Sequence, residues 1–112
     1  MTDCLFCKLA TGEITPATVY ETDHILAFRD IYPRAPTHVL VIPKQHIATL
    51  NDLDDLGLAG ELLLAVREVA KLTGIAEDGY RTVINCGGNG GQEVFHLHVH
   101  VLGGRTLHWP PG

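Results

Sequence analysis

Polar and apolar residues alternate strictly along one stretch near the C-terminal end of the chain. This stretch reads His96-Leu97-His98-Val99-His100-Val101. A period of two indicates a half-buried β-strand, because successive side chains of a strand point to opposite faces. We therefore predict a strand with the three imidazoles on one face and the three aliphatic side chains facing a core.

Shorter apolar and β-branched runs predict four earlier strands, at residues 18–21, 25–30, 39–42 and 81–85. The second and third of these strands are separated by a loop with Pro33 and Pro36, which lack the N–H that a sheet ladder needs. Residues 4–10 suit a short helical turn. A glycine-rich loop over residues 87–91 precedes the histidine strand.

Apolar residues recur at helical spacing in the middle of the chain, at Leu56, Leu62, Leu63, Val66, Val69 and Ala70. Asn51 or Asp52 is predicted to cap this helix at its N-terminus, and Gly74 to follow its last turn. Gly57 and Gly60 weaken a helix, and only a close packing partner would explain them. Strands around one long helix, mostly joined by short turns, indicate an α+β fold with an antiparallel sheet.

Composition narrows the possible partners. The chain has 112 residues and a formal net charge of −5, which predicts one small acidic domain spanning residues 1–112. An acidic balance argues against binding a long nucleic acid but is compatible with a small nucleotide. No apolar run approaches the roughly 20 residues that cross a bilayer, and no basic-then-apolar leader opens the chain. We expect no membrane partner and a cytoplasmic location.

Cys4 and Cys7 form a C-x₂-C pair, whose spacing suits one half of a zinc site. A redox pair would need a thioredoxin-like βαβ context, which the neighbouring sequence lacks. From spacing alone, two interpretations stay open: half of a zinc site, or two small semi-buried thiols. Cys86 is interpreted as a packing residue.

Metal binding is also one interpretation of the aligned histidines. Along an extended strand the Cα atoms of His96 and His100 would lie about 13 Å apart, so three ligands would approach a metal from nearly a straight line. At least one imidazole is therefore expected to have another role, as a base or a nucleophile. The alternative interpretation is that the three histidines face solvent on an edge strand and have no function.

The histidine run and its flanks resemble the signature of the histidine triad (HIT) superfamily. Gly90-Gly91-Gln92-Glu93-Val94-Phe95 precedes the run, Gly103-Gly104-Arg105 follows it, and His108-Trp109-Pro110-Pro111-Gly112 ends the chain. The last two segments are similar to the HINT-like branch, the nucleoside phosphoramidases. Residues 26–31 (LAFRDI), 35–44 (APTHVLVIPK) and 79–85 (GYRTVIN) also fit that branch, so the resemblance spans nearly the whole chain.

The resemblance implies a HIT fold, with about five antiparallel strands, one long helix and one short helix. It also implies a homodimer whose two sheets join into one. Trp109 would then lie at the interface or act in specificity, and the alternative is a frayed end with one exposed tryptophan.

For the chemistry, the resemblance implies that His98 attacks phosphorus, that His100 binds the phosphate and helps the leaving group depart, and that His38 supports their hydrogen-bond network. A neutral imidazole can form a nucleotidyl intermediate that water then breaks. Covalent catalysis of this kind divides one difficult displacement into two easier ones.

The resemblance further implies a purine nucleotide site. Phe28 and Ile31 would line the base pocket, Asp30 would meet the ribose hydroxyls, and Asn85 would touch ribose and phosphate. Phosphate donors are expected from the backbone N–H groups of Gly91, Gln92, Glu93 and Val94 and from the Gln92 side chain, because developing charge needs fixed donors.

Two positions depart from the animal pattern. Arg29 replaces a histidine, and Glu93 replaces a serine often credited with contacting the amine of the leaving group. The identity of the preferred amine therefore stays open.

Some HIT proteins with this cysteine pair bind zinc, and by resemblance His46 and His96 would complete the ligand set with Cys4 and Cys7. Other members lack the cysteines. We therefore expect a structural zinc that the chemistry does not require.

The leading hypothesis is a hydrolase that cleaves the P–N bond of purine nucleoside 5′-phosphoramidates. A dinucleoside polyphosphate hydrolase or nucleotidyl transferase of a sibling branch is one alternative. Others are a nucleotide-binding regulatory dimer with incidental catalysis, and a metal-dependent hydrolase with His96 and His98 as ligands.

Overall fold

The computed structural model describes residues 3–112, which form two α-helices and five strands. The helices are α1 (Leu5–Thr11) and α2 (Leu56–Leu72), and a single 3₁₀ turn covers Leu50–Asp52. The strands are β1 (Thr18–Glu21), β2 (Ile25–Arg29), β3 (Thr37–Pro43), β4 (Tyr80–Val83) and β5 (Val99–Gly103).

The strands form one antiparallel sheet in the order β1-β2-β3-β5-β4, which confirms the predicted α+β fold. The central strand β3 lies between β2 and β5. Its register places Leu40 opposite His100 and His38 opposite Leu102. This pairing brings the histidine segment beside the strand that carries His38, although 62 residues separate His38 from His100.

Both faces of the sheet are covered by a helix. On one face, Val39 and Val41 of β3 and the residues Leu97, Val99 and Val101 pack in one core with the apolar side of α2. On the other face, Phe6 of α1 packs with a second core made by Leu26, Phe28, Leu40 and Ile42. The apolar half of the predicted alternation is confirmed, and the histidines share the second face with α1.

The strand that carries the histidines is shorter than predicted. It begins at Val99, so His96 and His98 precede it. The pairing of β3 with β5 ends at Val41, opposite Val99, two residues before Pro43, which has no N–H to donate. The Pro43 carbonyl accepts a hydrogen bond from the His96 ring, and the Leu97 N–H donates to the Ile47 carbonyl.

The N-terminus of α2 is also displaced from its predicted position. Asp55 caps the helix and accepts from the Leu58 N–H, whereas Asn51 and Asp52 lie in the preceding 3₁₀ turn. Thr49 caps that turn, and its N–H and hydroxyl both donate to the Asp52 carboxylate. At the other end, Gly74 follows the last residues of α2 with a positive φ of 76°, as predicted.

Among the described residues, Gly57 and Gly60 lack the close packing partner that the sequence led us to expect. A Cβ on Gly60 would meet nothing within 4 Å, and one on Gly57 would meet only the Asp55 carboxylate at 3.4 Å. Within residues 3–112, neither helix has the length and apolar character that crossing a membrane requires.

Candidate functional site

The three histidines of the run are divided between two clusters. His96 lies with Cys4, Cys7 and His46, a group we call the thiol cluster. His98 and His100 lie with His38 and Asp30, a group we call the pocket cluster. Alternation along the chain predicted the three rings on one face, but His96 lies beside thiols whereas His98 and His100 lie beside His38 and Asp30.

The start of α1 provides the two cysteines of the thiol cluster, the loop after β3 provides His46, and the segment before β5 provides His96. The Cys4 and Cys7 sulfurs lie 3.3 Å and 3.5 Å from Nδ1 of His96, and the Cys7 sulfur lies 3.3 Å from Nδ1 of His46. One turn of α1 brings the sulfurs together, since the Cys7 N–H donates to the Cys4 sulfur. The four donor atoms all lie within 4.8 Å of one another.

These residues fit a tetrahedral zinc ion. Zinc bonds of about 2.3 Å to sulfur and about 2.0–2.1 Å to nitrogen give sulfur–nitrogen separations of about 3.6 Å around a tetrahedron. The His96 ring also has the required protonation, because its Nε2–H donates to the Pro43 carbonyl at 2.7 Å. That bond leaves the Nδ1 lone pair facing the sulfurs, as a metal ligand requires.

The ring of His98 is oriented by its own backbone. Nδ1–H donates to the His96 carbonyl at 2.7 Å, so the lone pair of the neutral ring is on Nε2. Phe6 packs edge-on against this ring, with centroids 5.1 Å apart and planes at 90°. The buried ring therefore has one tautomer and one orientation, and Nε2 is its nucleophilic atom.

His38 and His100 form a hydrogen-bonded pair. The Arg34 N–H donates to Nδ1 of His38 at 3.0 Å, so the neutral ring carries its proton on Nε2. This Nε2–H donates to Nδ1 of His100 at 2.9 Å, and an Asp30 carboxylate oxygen lies 3.5 Å from it. His100 therefore carries its own proton on Nε2, where it is a donor.

Burial keeps these imidazoles neutral. Burial, with smaller contributions from the nearby His98 and His38 rings, lowers the pKa of His100 to about 4, and Asp30 opposes the shift. Burial also lowers the pKa of His38, against the opposing charge of Asp30. At neutral pH the His38–His100 pair is uncharged, which preserves the donor and acceptor roles just described.

Asp30, His38 and His100 place three ligand-type atoms close together, but they do not suit a metal ion. The His38 atom that would face the ion is Nε2, which carries a proton because Nδ1 accepts from Arg34. His96 and His98 do not share a ligand site either, because Nδ1 of His96 faces the Cys4 and Cys7 sulfurs, whereas the lone pair of His98 is on Nε2 in the pocket cluster. The geometry therefore does not favour the metal-dependent hydrolase with His96 and His98 as a ligand pair.

Two cavities meet at the pocket cluster and share Asp30, Tyr32 and His100. The first, of ≈ 430 Å³, is also lined by Arg34, His38, Val83, Asn85, Glu93 and Leu102. The second, of ≈ 350 Å³, is mostly apolar and reaches His98, and its other lining residues include Leu5, Phe6, Leu9, Phe28 and Ile31. Sizes of this order suit a small organic ligand.

The structure thus gathers most of the predicted site residues around one groove. Asp30, Asn85, Glu93 and His100 line its polar part, and Phe28 and Ile31 line its apolar part. His38 also lines the polar part and is hydrogen-bonded to His100.

The predicted role of the Gln92 side chain as a phosphate donor is wrong. Its amide nitrogen donates to the Ala48 and Val94 carbonyls at 2.8 Å and 3.1 Å, and its amide oxygen accepts from the Gly87 N–H at 2.9 Å. This buried side chain shapes the loop instead. The N–H groups of Gly91 and Gln92 also donate within the loop, to Gly88 and Gly87.

Three residues that shape the site are absent from the sequence-based prediction. Phe6 contacts both His96 and His98. Its position between the two cysteines of the C-x₂-C pair could have indicated that it lies near the site. Tyr32 lines both cavities. Arg34 acts through its backbone N–H, which no side-chain pattern reports.

Comparison with known proteins places this geometry in a family context. The sequence matches the HIT domain family over residues 11–107. A HIT family hydrolase from Legionella pneumophila has a crystal structure that is 54% identical and superposes with a TM-score of 0.95, covering 98% of this chain and 100% of that one.

Two further relatives carry more specific descriptions. A 14 kDa zinc-binding protein from Zea mays is 48% identical over 112 residues, which cover 96% of this chain and 87% of that protein. The structure of a histidine triad nucleotide-binding protein from Candida albicans is 33% identical, with a TM-score of 0.84, and covers 98% of this chain and 85% of that one.

Proposed function

This chain belongs to the HIT domain family, and on that premise we propose that it is a hydrolase of purine nucleoside 5′-phosphoramidates. The observation that carries the proposal is the bond between Nδ1–H of His98 and the His96 carbonyl. It leaves Nε2 of a neutral imidazole as a nucleophile at the apolar cavity, beside the His100 ring that lines both cavities.

In the first step, the Nε2 lone pair of His98 forms a bond to phosphorus and the P–N bond breaks. The departing nitrogen keeps the electron pair of that bond and takes up a solvent proton, so it leaves as an amine. The His98 ring becomes a nucleotidyl-imidazolium, whose positive charge is stabilised by the His96 carbonyl at Nδ1.

In the second step, water attacks the same phosphorus and displaces Nε2 of His98, which releases a nucleoside monophosphate and one proton. In both steps, the Nε2–H of His100 donates a hydrogen bond, either to the phosphoryl group or to the nitrogen that leaves the phosphorus. A neutral ring with a fixed proton suits this role, because preorganised donors stabilise developing charge without rearranging.

For the nucleotide, Asp30 would hold the ribose while Phe28 and Ile31 hold the base in the apolar cavity. Asn85 would reach the ribose and phosphate from the polar cavity. Among the described hydrogen bonds, the N–H groups of Glu93 and Val94 have no acceptor, so we assign the phosphate contacts to them.

The charges that line the polar cavity favour a phosphoramidate over a polyphosphate. Asp30 and Glu93 provide two carboxylates against the single guanidinium of Arg34. A polyphosphate chain would be repelled by this balance, whereas one phosphoryl group with an amine leaving group would be accommodated.

We also propose that the thiol cluster holds a structural zinc ion. Zinc would tie α1 to the end of β3, and the chemistry would not pass through it. The name of the maize relative supports this proposal, as does the donor geometry.

The predicted homodimer stays a proposal, supported by two surfaces. Strand β4 is an edge of the sheet, and Leu56 and Leu63 are 89% and 61% exposed on α2 with Gly60 between them. A small residue between two exposed leucines would let a second helix approach closely. Light scattering on the purified protein tests this, and a monomer would contradict it. The cytoplasmic location also stays a prediction.

Mass spectrometry of the protein during turnover tests the proposed reaction. With adenosine 5′-phosphoramidate, we expect one nucleotide mass on the peptide that contains His98, and none in His98→Ala. A nucleotide on another residue, or faster turnover of a dinucleoside polyphosphate, would overturn the proposal. Binding without turnover would support the regulatory dimer instead.

A further inference from the structure

The segment that follows β5 packs closely against the loop before β3. Gly104 has a φ of +91°, and a Cβ there would lie 2.8 Å from Cβ of Pro36. The next residue, Arg105, donates from Nη2 to the Arg34 carbonyl at 2.9 Å. Its Nη1 donates to the Thr106 carbonyl at 3.1 Å. The proposed reaction uses neither Gly104 nor Arg105.

Arg34 is bound at both of its peptide groups. Its N–H donates to Nδ1 of His38, and its carbonyl accepts from Arg105. The loop around it is exposed at residues 31–34. Among the described hydrogen bonds of this loop, the Arg105 bond is the one that comes from a distant part of the chain, 71 residues away.

The Arg34 N–H decides which tautomer His38 adopts. While Nδ1 of His38 accepts from this N–H, its proton is on Nε2 and is donated to Nδ1 of His100. If the Arg34 N–H moved away, His38 could carry its proton on Nδ1 and accept on Nε2. His100 would then donate from Nδ1 and present a lone pair to the cavity, so the donor at Nε2 would be lost.

We propose that Arg105 is a positioning residue that holds the His38–His100 pair in its donor tautomer. The guanidinium binds the Arg34 carbonyl, which keeps the Arg34 N–H on His38 and therefore keeps the His100 Nε2–H facing the cavity. The catalytic consequence rests on the proposed function, whereas the tautomer is a property of the unliganded protein.

Imidazole nitrogen NMR tests the proposal without any turnover. In ¹⁵N-labelled full-length protein at neutral pH, we expect both His38 and His100 to show a protonated Nε2 and an accepting Nδ1. Arg105→Gln should convert both rings to a mixture of tautomers, and Arg105→Lys, which keeps a cationic donor, should restore the original signature.

Arg81→Gln is the matched control. Arg81 also donates to a carbonyl of the C-terminal segment, that of Leu107 at 3.5 Å, and its guanidinium lies 5.8 Å from the Trp109 ring. None of the described hydrogen bonds joins Arg81 to Arg34, so its removal should leave both ring signatures unchanged. A thermal melt of each variant separates a loss of folding from a change of tautomer.

Turnover gives a second readout. Arg105→Gln should lower kcat by about fivefold and change KM by less than about twofold, since one exposed charge-assisted hydrogen bond is lost. The proposal is overturned if Arg105→Gln keeps the wild-type ring signatures, or if Arg81→Gln alters them equally. If the wild type shows the expected tautomers but no phosphoramidate turnover, the proposed function fails and the positioning role stands.

Discussion

The thiol cluster and the pocket cluster both contain histidines from the same run of the chain, yet the two clusters suit different chemistry. In the thiol cluster, Nε2 of His96 is bonded to the Pro43 carbonyl and Nδ1 faces two sulfurs. In the pocket cluster, Nδ1 of His98 is bonded to a carbonyl and Nε2 is the atom with the lone pair.

The difference shows that the partner of the second ring nitrogen determines what an imidazole can do. A backbone carbonyl on one nitrogen fixes the tautomer and aims the other nitrogen. The nitrogen left with the lone pair is available as a metal ligand where it faces thiols, and as a nucleophile where it faces a cavity. His96 links the two clusters, because its ring belongs to one and its carbonyl orients the ring of the other.

Removal of the His98 ring should have the largest effect on activity, and it tests whether the two clusters have different roles. Hydrolysis by His98→Ala should fall by about 10³-fold or more, because no other imidazole is placed to attack, while nucleotide affinity and zinc content are retained. Steady-state kinetics, calorimetric titration and metal analysis measure these three quantities. His24→Ala, at an exposed site, is the control, and near-normal turnover by His98→Ala would refute the assignment.

Disruption of the thiol cluster should affect stability before chemistry. A zinc ion present at about a thousandfold above its dissociation constant contributes about 4 kcal/mol, which corresponds to a Tm decrease of roughly 15 °C for a domain of this size. We expect that decrease in Cys7→Ser and after chelation, with hydrolysis retained by folded protein. Scanning calorimetry compares Cys7→Ser with Cys86→Ser, and equal Tm values would count against the zinc proposal.

The pH dependence of stability reports the burial of the pocket cluster. The pKa of His100 is about 4 in the folded state against an ordinary value of 6.5, so the unfolded chain binds its proton first as the pH falls. The free energy of unfolding should therefore decrease between about pH 6.5 and pH 4, by up to about 3 kcal/mol from this ring.

Urea unfolding at a series of pH values measures this contribution. His100→Gln cannot titrate, so its free energy of unfolding should decrease less steeply over the same pH range. Some slope will remain, because burial also lowers the pKa values of His38 and His96. Identical slopes in the variant and the wild type would show that His100 is not desolvated.

His24, which is exposed, contrasts with the buried His100, and its titration should have the smallest effect on stability. The Glu61 carboxylate, 3.0 Å from Nδ1 of His24, raises the pKa of that ring. A raised pKa gives stability that is present below about pH 6.5 and is lost as the pH rises through the folded-state value. Glu61→Gln should lower Tm slightly at about pH 5 and leave it unchanged at about pH 9. A decrease of equal size at both pH values would exclude a titrating pair.

Much of the fold followed from local patterns. The alternation of Leu97, Val99 and Val101 correctly identified core-facing residues, as did four members of the helical stripe, Leu62, Val66, Val69 and Ala70. The other two members of the stripe, Leu56 and Leu63, are exposed, so their prediction as core residues is wrong. Two other predictions failed because the structure uses a different hydrogen-bond partner from the one that the sequence pattern indicated. Asp55 capped α2 in place of Asn51 or Asp52, and Gln92 turned inward to bind Ala48.

The sequence by itself determined the inventory of the site: a cysteine pair, alternating histidines, a glycine-rich loop and the apolar stripes that place them on one sheet. Only the tertiary structure decided which histidine faces sulfur and which faces a cavity. The reason is that ring protonation depends on backbone groups brought from elsewhere, such as the Pro43 carbonyl, 53 residues from His96. Such carbonyl and amide groups are common to nearly every residue, so no pattern of side chains reveals them.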